Sequence, residues 1–299
     1  MYNSRKFTGV TLILAASLLL LPVQGCKREA AERGEIKFTV VTSFYPVYII
    51  AKNVTDGIEG VRLVNMTPPF TGCLHDYSLT AGDMKNLDGA GILLLAGAGM
   101  ESFMGTISER FPGLKTAELS KGIKLISGSK GENPHVWLSV ANAIVMTQNC
   151  VEAMSCADPS NAGSYRENAS EYTVKLTALK KEMDAGMRKF KGREIITFHE
   201  AFPYFAEEYG LKIVNVIERE PGSEPSAKEL AATVDIVKKA GIKALFAEPQ
   251  YPTSAADTIA GETGAKVYML DPAVTGDDSC DAYIKIMRKN LSVMETALK

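Results

Sequence analysis

The sequence predicts an α/β protein of two lobes, each with a central, mostly parallel sheet flanked by helices, joined by one long rigid helix. Short apolar runs alternate with helical patterns before residue 125 and again after residue 193, which is typical of βαβ units around parallel sheets. One continuous helical pattern lies between the two arrays. A body of about 270 residues also favours two domains over one.

The first 25 residues have the features of a secretory signal peptide. Arg5 and Lys6 precede an apolar run from about Val10 to Leu21, and this run is shorter than the about 20 residues that span a bilayer. Gly25 then stands before Cys26, an arrangement that resembles a bacterial lipobox and implies lipidation of Cys26. The alternative is an uncleaved N-terminal anchor.

Both alternatives place the body outside the cytoplasmic membrane. We expect a protein anchored by lipid to the cell membrane, on the periplasmic side or at the cell surface, with residues 26–35 as a charged tether.

Charge and composition exclude one large class of partners. The chain has 33 basic and 35 acidic residues, and loss of residues 1–25 removes two basic residues and leaves a net charge of −4. No basic face stands out, which argues against nucleic acid. We expect an ordinary globular body and a monomer.

The N-terminal lobe is expected over residues 36–158 and the C-terminal lobe over residues 191–299. The strand-like runs are Phe38–Thr42, Val61–Met66, Ile92–Leu95, Ile195–Phe198, Lys212–Ile217, Lys243–Phe246 and Lys266–Leu270. The helix-like segments are Val47–Val54, Ala81–Leu87, Met100–Phe111, Val140–Ala157, Ala201–Tyr209, Ala227–Ala240 and Ser254–Thr263.

The linking helix is expected over residues 159–190, after a break at Asp158-Pro159. Its apolar positions recur every three or four residues, the spacing of one buried helix face. They are Tyr165, Ala169, Tyr172, Leu176, Leu179, Met183, Met187 and Phe190. At 1.5 Å per residue the helix would reach about 43 Å. A coiled-coil arm is the alternative to a strut between lobes.

Four cysteines remain once Cys26 is set aside, and an even number outside the cytoplasm suggests disulfides. We favour Cys150–Cys156 and Cys73–Cys280. A metal-ligand role for Cys73 is the alternative.

The chain has three histidines, and each follows a turn-like break at the edge of a regular element. His75 comes after the strand ending near Met66, and His199 directly follows a strand. His135 comes from a Pro134 turn. Asp271 directly follows another strand, and ligands of parallel α/β sheets bind outside the carboxyl ends of the strands.

These four residues are too far apart in sequence for a local zinc knuckle, and they suit a site between two lobes. Imidazoles suit zinc, and a carboxylate is compatible with zinc or manganese. Four protein ligands would leave a tetrahedral ion no open position for water, which argues for capture rather than catalysis. Taken singly, each residue is more often structural, so their joint placement carries the hypothesis.

Several stretches resemble the cluster A-I substrate-binding proteins, the zinc- or manganese-binding components of bacterial ABC importers. They occur in the family's order across residues 36–299 and are His75-Asp76-Tyr77-Ser78-Leu79, Gly99-Met100-Glu101-Ser102-Phe103, Asn133-Pro134-His135-Val136-Trp137-Leu138, Phe198-His199-Glu200-Ala201-Phe202-Pro203-Tyr204, Phe246-Ala247-Glu248-Pro249-Gln250 and Leu270-Asp271-Pro272.

The resemblance implies two lobes joined by one long helix, with a metal ion held between them by His75, His135, His199 and Asp271 and delivered to a membrane permease. His199 stands where manganese-type members often carry glutamate, which favours Zn²⁺ over Mn²⁺. Two departures weaken that preference. The loop over 127–133 is short and has no histidine, and Leu74 stands where some zinc members have a glutamate.

Glu248 lies on the same strand-end rim, and we interpret it as an acceptor that orients a ligand histidine. A rival hypothesis is a metal-dependent hydrolase in the same cleft, with Glu200 or Glu248 as general base. A receptor for an organic chelate is a third.

Overall fold

The computed structural model describes residues 35–67, 74, 77–128, 131–217 and 225–299. The signal peptide, Cys26 and nearly all of the tether lie outside these ranges, as do His75 and Cys73. The remainder of both lobes belongs to one compact unit.

The N-terminal lobe is built on a four-stranded parallel sheet of order β2-β1-β3-β4. Its strands are β1 (Phe38–Thr42), β2 (Val61–Asn65), β3 (Ile92–Leu95) and β4 (Thr116–Glu118). Its helices are α1 (Tyr45–Thr55), α2 (Ala81–Leu87), α3 (Met104–Arg110) and α4 (Val140–Ala157). The central strands β1 and β3 are mostly apolar and almost entirely buried, as expected for a parallel sheet with helices on both faces. A short antiparallel hairpin, β5 (Ser127–Gly128) and β6 (Gly131–Glu132), precedes α4.

The C-terminal lobe repeats this design with a parallel sheet of order β10-β9-β7-β8. Its strands are β7 (Glu194–Thr197), β8 (Lys212–Val216), β9 (Ala244–Ala247) and β10 (Lys266–Met269). Its helices are α6 (Pro203–Tyr209), α7 (Ala227–Ala240), α8 (Ser254–Thr263) and α9 (Ala282–Ala297). The predicted fold class, with two parallel sheets flanked by helices, is therefore confirmed.

The connection between the sheets is helix α5 (Ala162–Met187), with short 3₁₀ turns at Pro159–Asn161 and Arg188–Phe190. All eight apolar positions predicted to form its inner face are buried. The helix packs against α1 and α4 of the first lobe and α9 of the second, so it is part of the body and not a projecting arm. Its 26 residues correspond to about 39 Å. Within the described ranges, no helix is both long enough and apolar enough to cross a membrane.

Several elements differ from the prediction. Helix α9 was not predicted, although its buried residues recur with helical spacing. Strand β4 has three residues and lies at a sheet edge, too short for an alternating pattern. Helix α3 begins at Met104, four residues later than expected.

The proposed Cys150–Cys156 disulfide is wrong. Both residues belong to the continuous helix α4, and both are free, with Cys150 buried and Cys156 exposed. Six residues along a helix separate two side chains by about 9 Å of rise, beyond the reach of a disulfide. Cys280 is also free, and its suggested partner Cys73 lies outside the described residues.

Gly186 allows α5 to approach α9. A Cβ added there would lie 2.7 Å from Leu291 Cδ1. We expect Gly186→Val to lower the free energy of unfolding by about 1–3 kcal/mol through overpacking, measured by urea denaturation. Gly163→Val, in the same helix with nothing within 4 Å of the added Cβ, should change it by less than about 0.5 kcal/mol. Equal effects of the two substitutions would contradict this account.

Candidate functional site

Three of the residues predicted for the site lie at the carboxyl edge of the C-terminal sheet. His199 follows β7, Glu248 directly follows β9, and Asp271 follows β10. Because the strand order is β10-β9-β7 and neighbouring strands lie about 4.8 Å apart, Glu248 stands between the other two. The parallel topology thus collects residues that are 49 and 23 positions apart in the sequence.

His199 and Glu248 form a buried pair. The imidazole Nδ1 lies 3.3 Å from the Glu248 Oε1 atom, and both side chains are at most 3% exposed. Burial raises the pKa of Glu248, and the nearby Asp271 charge raises it further, while His199 opposes the shift. Glu248 thus lies beside the imidazole that it is predicted to orient, and that role stays a prediction.

Asp271 is half-buried, and hydrogen bonds fix both its backbone and its side chain. Its Oδ1 accepts the Ala273 N–H at 2.9 Å. The side-chain amide of Asn290, on α9, accepts from the Asp271 N–H at 2.9 Å and donates to its carbonyl at 2.8 Å. Burial raises the pKa of Asp271, and a hydrogen bond from Gln250 counteracts part of this effect.

His135 comes from the N-terminal lobe and meets His199 at the lobe interface. Pro134 and the 3₁₀ turn Val136–Leu138 place it just before α4. Its ring is buried, and the two imidazole centroids are 4.8 Å apart at an interplanar angle of 85°. The structure therefore brings together two histidines that lie 64 residues apart in the sequence.

Trp137 helps to hold the lobes in this position. Its indole N–H donates to the Pro272 carbonyl at 2.8 Å, and its own carbonyl accepts from the Tyr283 hydroxyl at 2.7 Å. Phe44 packs edge-on against the same indole at 5.2 Å. Trp137 is thus a buried packing residue that also carries cross-lobe hydrogen bonds.

The complete ligand set is not described, because His75 lies outside the described residues. Its neighbour Leu74 is fully buried and accepts the Tyr77 N–H at 3.1 Å. In the described part of the chain, no three His, Cys, Asp or Glu side chains are grouped closely enough to hold a metal ion. The four-ligand site therefore stays a prediction. In the sequence, Asn133 stands out only as part of the stretch that contains His135, and no sequence pattern indicates Asn290.

Comparison with known proteins gives the family of this fold and site. Residues 40–297 match the family described as the periplasmic component A of the zinc-uptake complex, ZnuA. The chain belongs to this family. It is therefore an extracytoplasmic solute-binding protein of the cluster A-I class and not an enzyme, and the hydrolase hypothesis has no support.

Individual proteins show the same similarity. The high-affinity zinc uptake system protein ZnuA of Bacillus subtilis is 32% identical over 319 residues, covering 98% of each chain. The structure of Mn²⁺-bound FpvC from Pseudomonas aeruginosa is 28% identical, with a TM-score of 0.78 over 87% of this chain and 97% of that one. Zn(II)-bound AdcA from Streptococcus pneumoniae is 30% identical, with a TM-score of 0.76 over 87% of this chain and 57% of AdcA.

The Glu248 carboxyl gives a pH-dependent prediction for the metal-free protein. Folding raises the pKa of Glu248 above its ordinary value of 4.5. The protonated carboxyl therefore contributes to stability below about pH 4.5, and this contribution is lost as the pH rises through the raised pKa of the folded protein. Glu248→Gln should therefore become progressively stabilising relative to wild type, reaching about 1–3 kcal/mol at pH 8.

Urea denaturation of the metal-free proteins at pH 4.5, 6 and 8 measures this difference. Glu109→Gln, on an exposed position of α3, is the matched control and should show no such trend. A stability difference for Glu248→Gln that stays constant or shrinks with pH would show that the buried carboxyl has no raised pKa.

Proposed function

We propose that the protein binds one Zn²⁺ ion through His75, His135, His199 and Asp271 and delivers it to the permease of an ABC importer. The observation that carries the proposal is the meeting of His135 and His199, two buried rings from different lobes, with centroids 4.8 Å apart. Family membership over residues 40–297 supports the same function.

The donor chemistry agrees with this cargo. Neutral imidazole nitrogens and one carboxylate are suitable ligands for Zn²⁺, and four of them would complete a tetrahedral shell. Glu248 would orient His199 from behind through the 3.3 Å contact at Nδ1, as outer-shell carboxylates do for histidine ligands.

Zinc is preferred over manganese for two reasons. The third nitrogen ligand is His199, and imidazole suits zinc better than it suits manganese. The names of the related ZnuA and AdcA proteins also refer to zinc. FpvC in its Mn²⁺ complex makes manganese the alternative cargo.

The proposal includes a location and a division of the chain. Residues 1–25 would direct export, Cys26 would carry the lipid anchor, and residues 26–35 would connect it to the fold. The lobes would comprise residues 36–158 and 191–299, with residues 159–190 as the linking helix. Family members described as zinc-binding lipoproteins support the anchor, and we propose that the protein acts as a monomer.

Release of the ion would use small shifts rather than a wide opening. The hydrogen bond from Trp137 to Pro272 and the bond from Asn133 to Glu200 both join the two lobes next to the histidines. The packed helix α5 adds a rigid connection. We expect the loops that carry His135 and His199 to shift locally, and such a shift would have to break the bond from Asn133 to Glu200.

Replacement of ligands tests the site directly. We expect about one zinc per wild-type chain by elemental analysis after dialysis, and a loss of at least about tenfold in affinity for His75→Ala, His135→Ala, His199→Ala and Asp271→Ala, because each removes a donor atom. Glu109→Ala is an exposed control. Unchanged zinc binding in any of the four variants would remove that residue from the ligand set.

Acidification tests the kind of ligand. A protonated imidazole cannot coordinate a metal ion, so binding should weaken as the pH falls and protons compete for the imidazole nitrogens. We expect metal retained at pH 7 and released at pH 4.5 in equilibrium dialysis. Equal retention at the two pH values would show that histidines do not hold the ion.

A further inference from the structure

Asn133 is a residue whose side chain contacts both histidine-bearing loops. Its Oδ1 atom accepts the backbone N–H of His135 at 3.0 Å and lies 3.1 Å from the ring Nδ1 of the same residue. Its Nδ2 atom donates to the carbonyl of Glu200 at 2.7 Å. Glu200 directly follows His199, so one amide connects the two lobes at the site. The side chain is 3% exposed.

These contacts fix which way the amide faces. The Glu200 carbonyl can only accept a hydrogen bond, so the NH₂ group of Asn133 must point toward it. The backbone N–H of His135 can only donate, so the oxygen must point toward His135. Both partners require the same orientation of the amide.

The orientation of the amide then determines the state of the imidazole. The Asn133 oxygen has no proton to give, so the short contact to His135 Nδ1 is a hydrogen bond only if Nδ1 carries the proton. In the neutral ring the lone pair is then on Nε2. The His135 tautomer thus follows from a chain of hydrogen bonds that begins at a backbone carbonyl of the other lobe.

The backbone of Asn133 is fixed as well. The Asn133 carbonyl accepts a hydrogen bond from the Tyr204 hydroxyl at 2.7 Å. The hydroxyl oxygen of Tyr204 in turn accepts the Ile126 N–H at 3.0 Å. The backbone N–H of Asn133 donates to the Ile126 carbonyl at 2.7 Å. Tyr204 belongs to α6 of the C-terminal lobe, so the second lobe holds both the side chain and the main chain of Asn133.

We propose that Asn133 is a positioning residue with two effects. It holds His135 in the Nδ1–H form, and it fixes the position of the His135 ring relative to the loop that carries His199. The proposal rests on the proposed metal-binding function. Asparagine suits the role because it presents an acceptor and a donor at once. Aspartate would keep the acceptor for His135 and place a second oxygen against the Glu200 carbonyl, and alanine would provide neither.

Imidazole nitrogen NMR of the metal-free protein tests the tautomer without any metal. The chain has three histidines, so a ¹⁵N-labelled sample gives few signals, and His135→Gln identifies the one in question. We expect His135 to be the Nδ1–H tautomer at pH 8 in wild type and in Asn133→Asp. In Asn133→Ala we expect a shift toward the Nε2–H form.

Zinc affinity, measured by competition with a chelating dye, gives the second readout. Asn133→Ala should weaken binding by about 10–100-fold, the range typical of lost outer-shell partners. Asn149→Ala is the matched control. Asn149 also donates to two backbone carbonyls, those of Leu119 and Lys121 at 2.7 and 2.9 Å, and its loss should leave both the tautomer and the affinity unchanged.

Two results would overturn the proposal: an Nδ1–H tautomer that persists in Asn133→Ala, or zinc affinity in that variant within about twofold of wild type. If Asn133→Ala does not fold, Asn133→Asp decides, because an Nε2–H form there would also contradict the proposal. A wild-type protein that binds no zinc would defeat the proposed function instead, and the tautomer measurement would still test the positioning role of Asn133.

Discussion

The constraint on which the site depends is the burial of polar groups from two lobes against one another. His135, His199 and Glu248 are almost completely removed from water, and buried polar groups are costly unless they are hydrogen-bonded or paired. The protein satisfies His135 through Asn133 and places Glu248 against His199. A cation would offset the remaining cost, since it would neutralise carboxylates whose pKa values burial raises.

The cross-lobe hydrogen bonds explain how such a site can be kept in one geometry. Trp137, Asn133 and Tyr204 each bond to the opposite lobe near the histidines, and α5 packs along both halves. Wide separation of the lobes would break several buried hydrogen bonds at once, each costly to leave unmade. The same bonds hold the loops that carry His135 and His199, because Asn133 and Trp137 flank His135 and Glu200 follows His199. These bonds favour a binding protein whose lobes do not separate widely when it admits and releases its cargo.

Much of the fold followed from local patterns. The apolar run of Ile92–Leu95 became a buried central strand, and the three-to-four spacing from Tyr165 to Phe190 became the inner face of α5. Helix α9 was not predicted, although its buried positions Met287, Leu291 and Met294 recur every three or four residues. The Cys150–Cys156 pairing failed because pairing by sequence proximity ignored the continuous helix that holds both residues.

The sequence by itself determined the two α/β arrays, the helix between them, and the positions of rare residues at strand ends. These follow from short continuous apolar runs and from the helical period of 3.6 residues. Only the tertiary structure decided that His135 and His199 meet, that Glu248 stands beside His199, and that Asn133 spans the lobes. Those contacts join residues more than 45 positions apart, and local propensity carries no information about the packing of one lobe on the other.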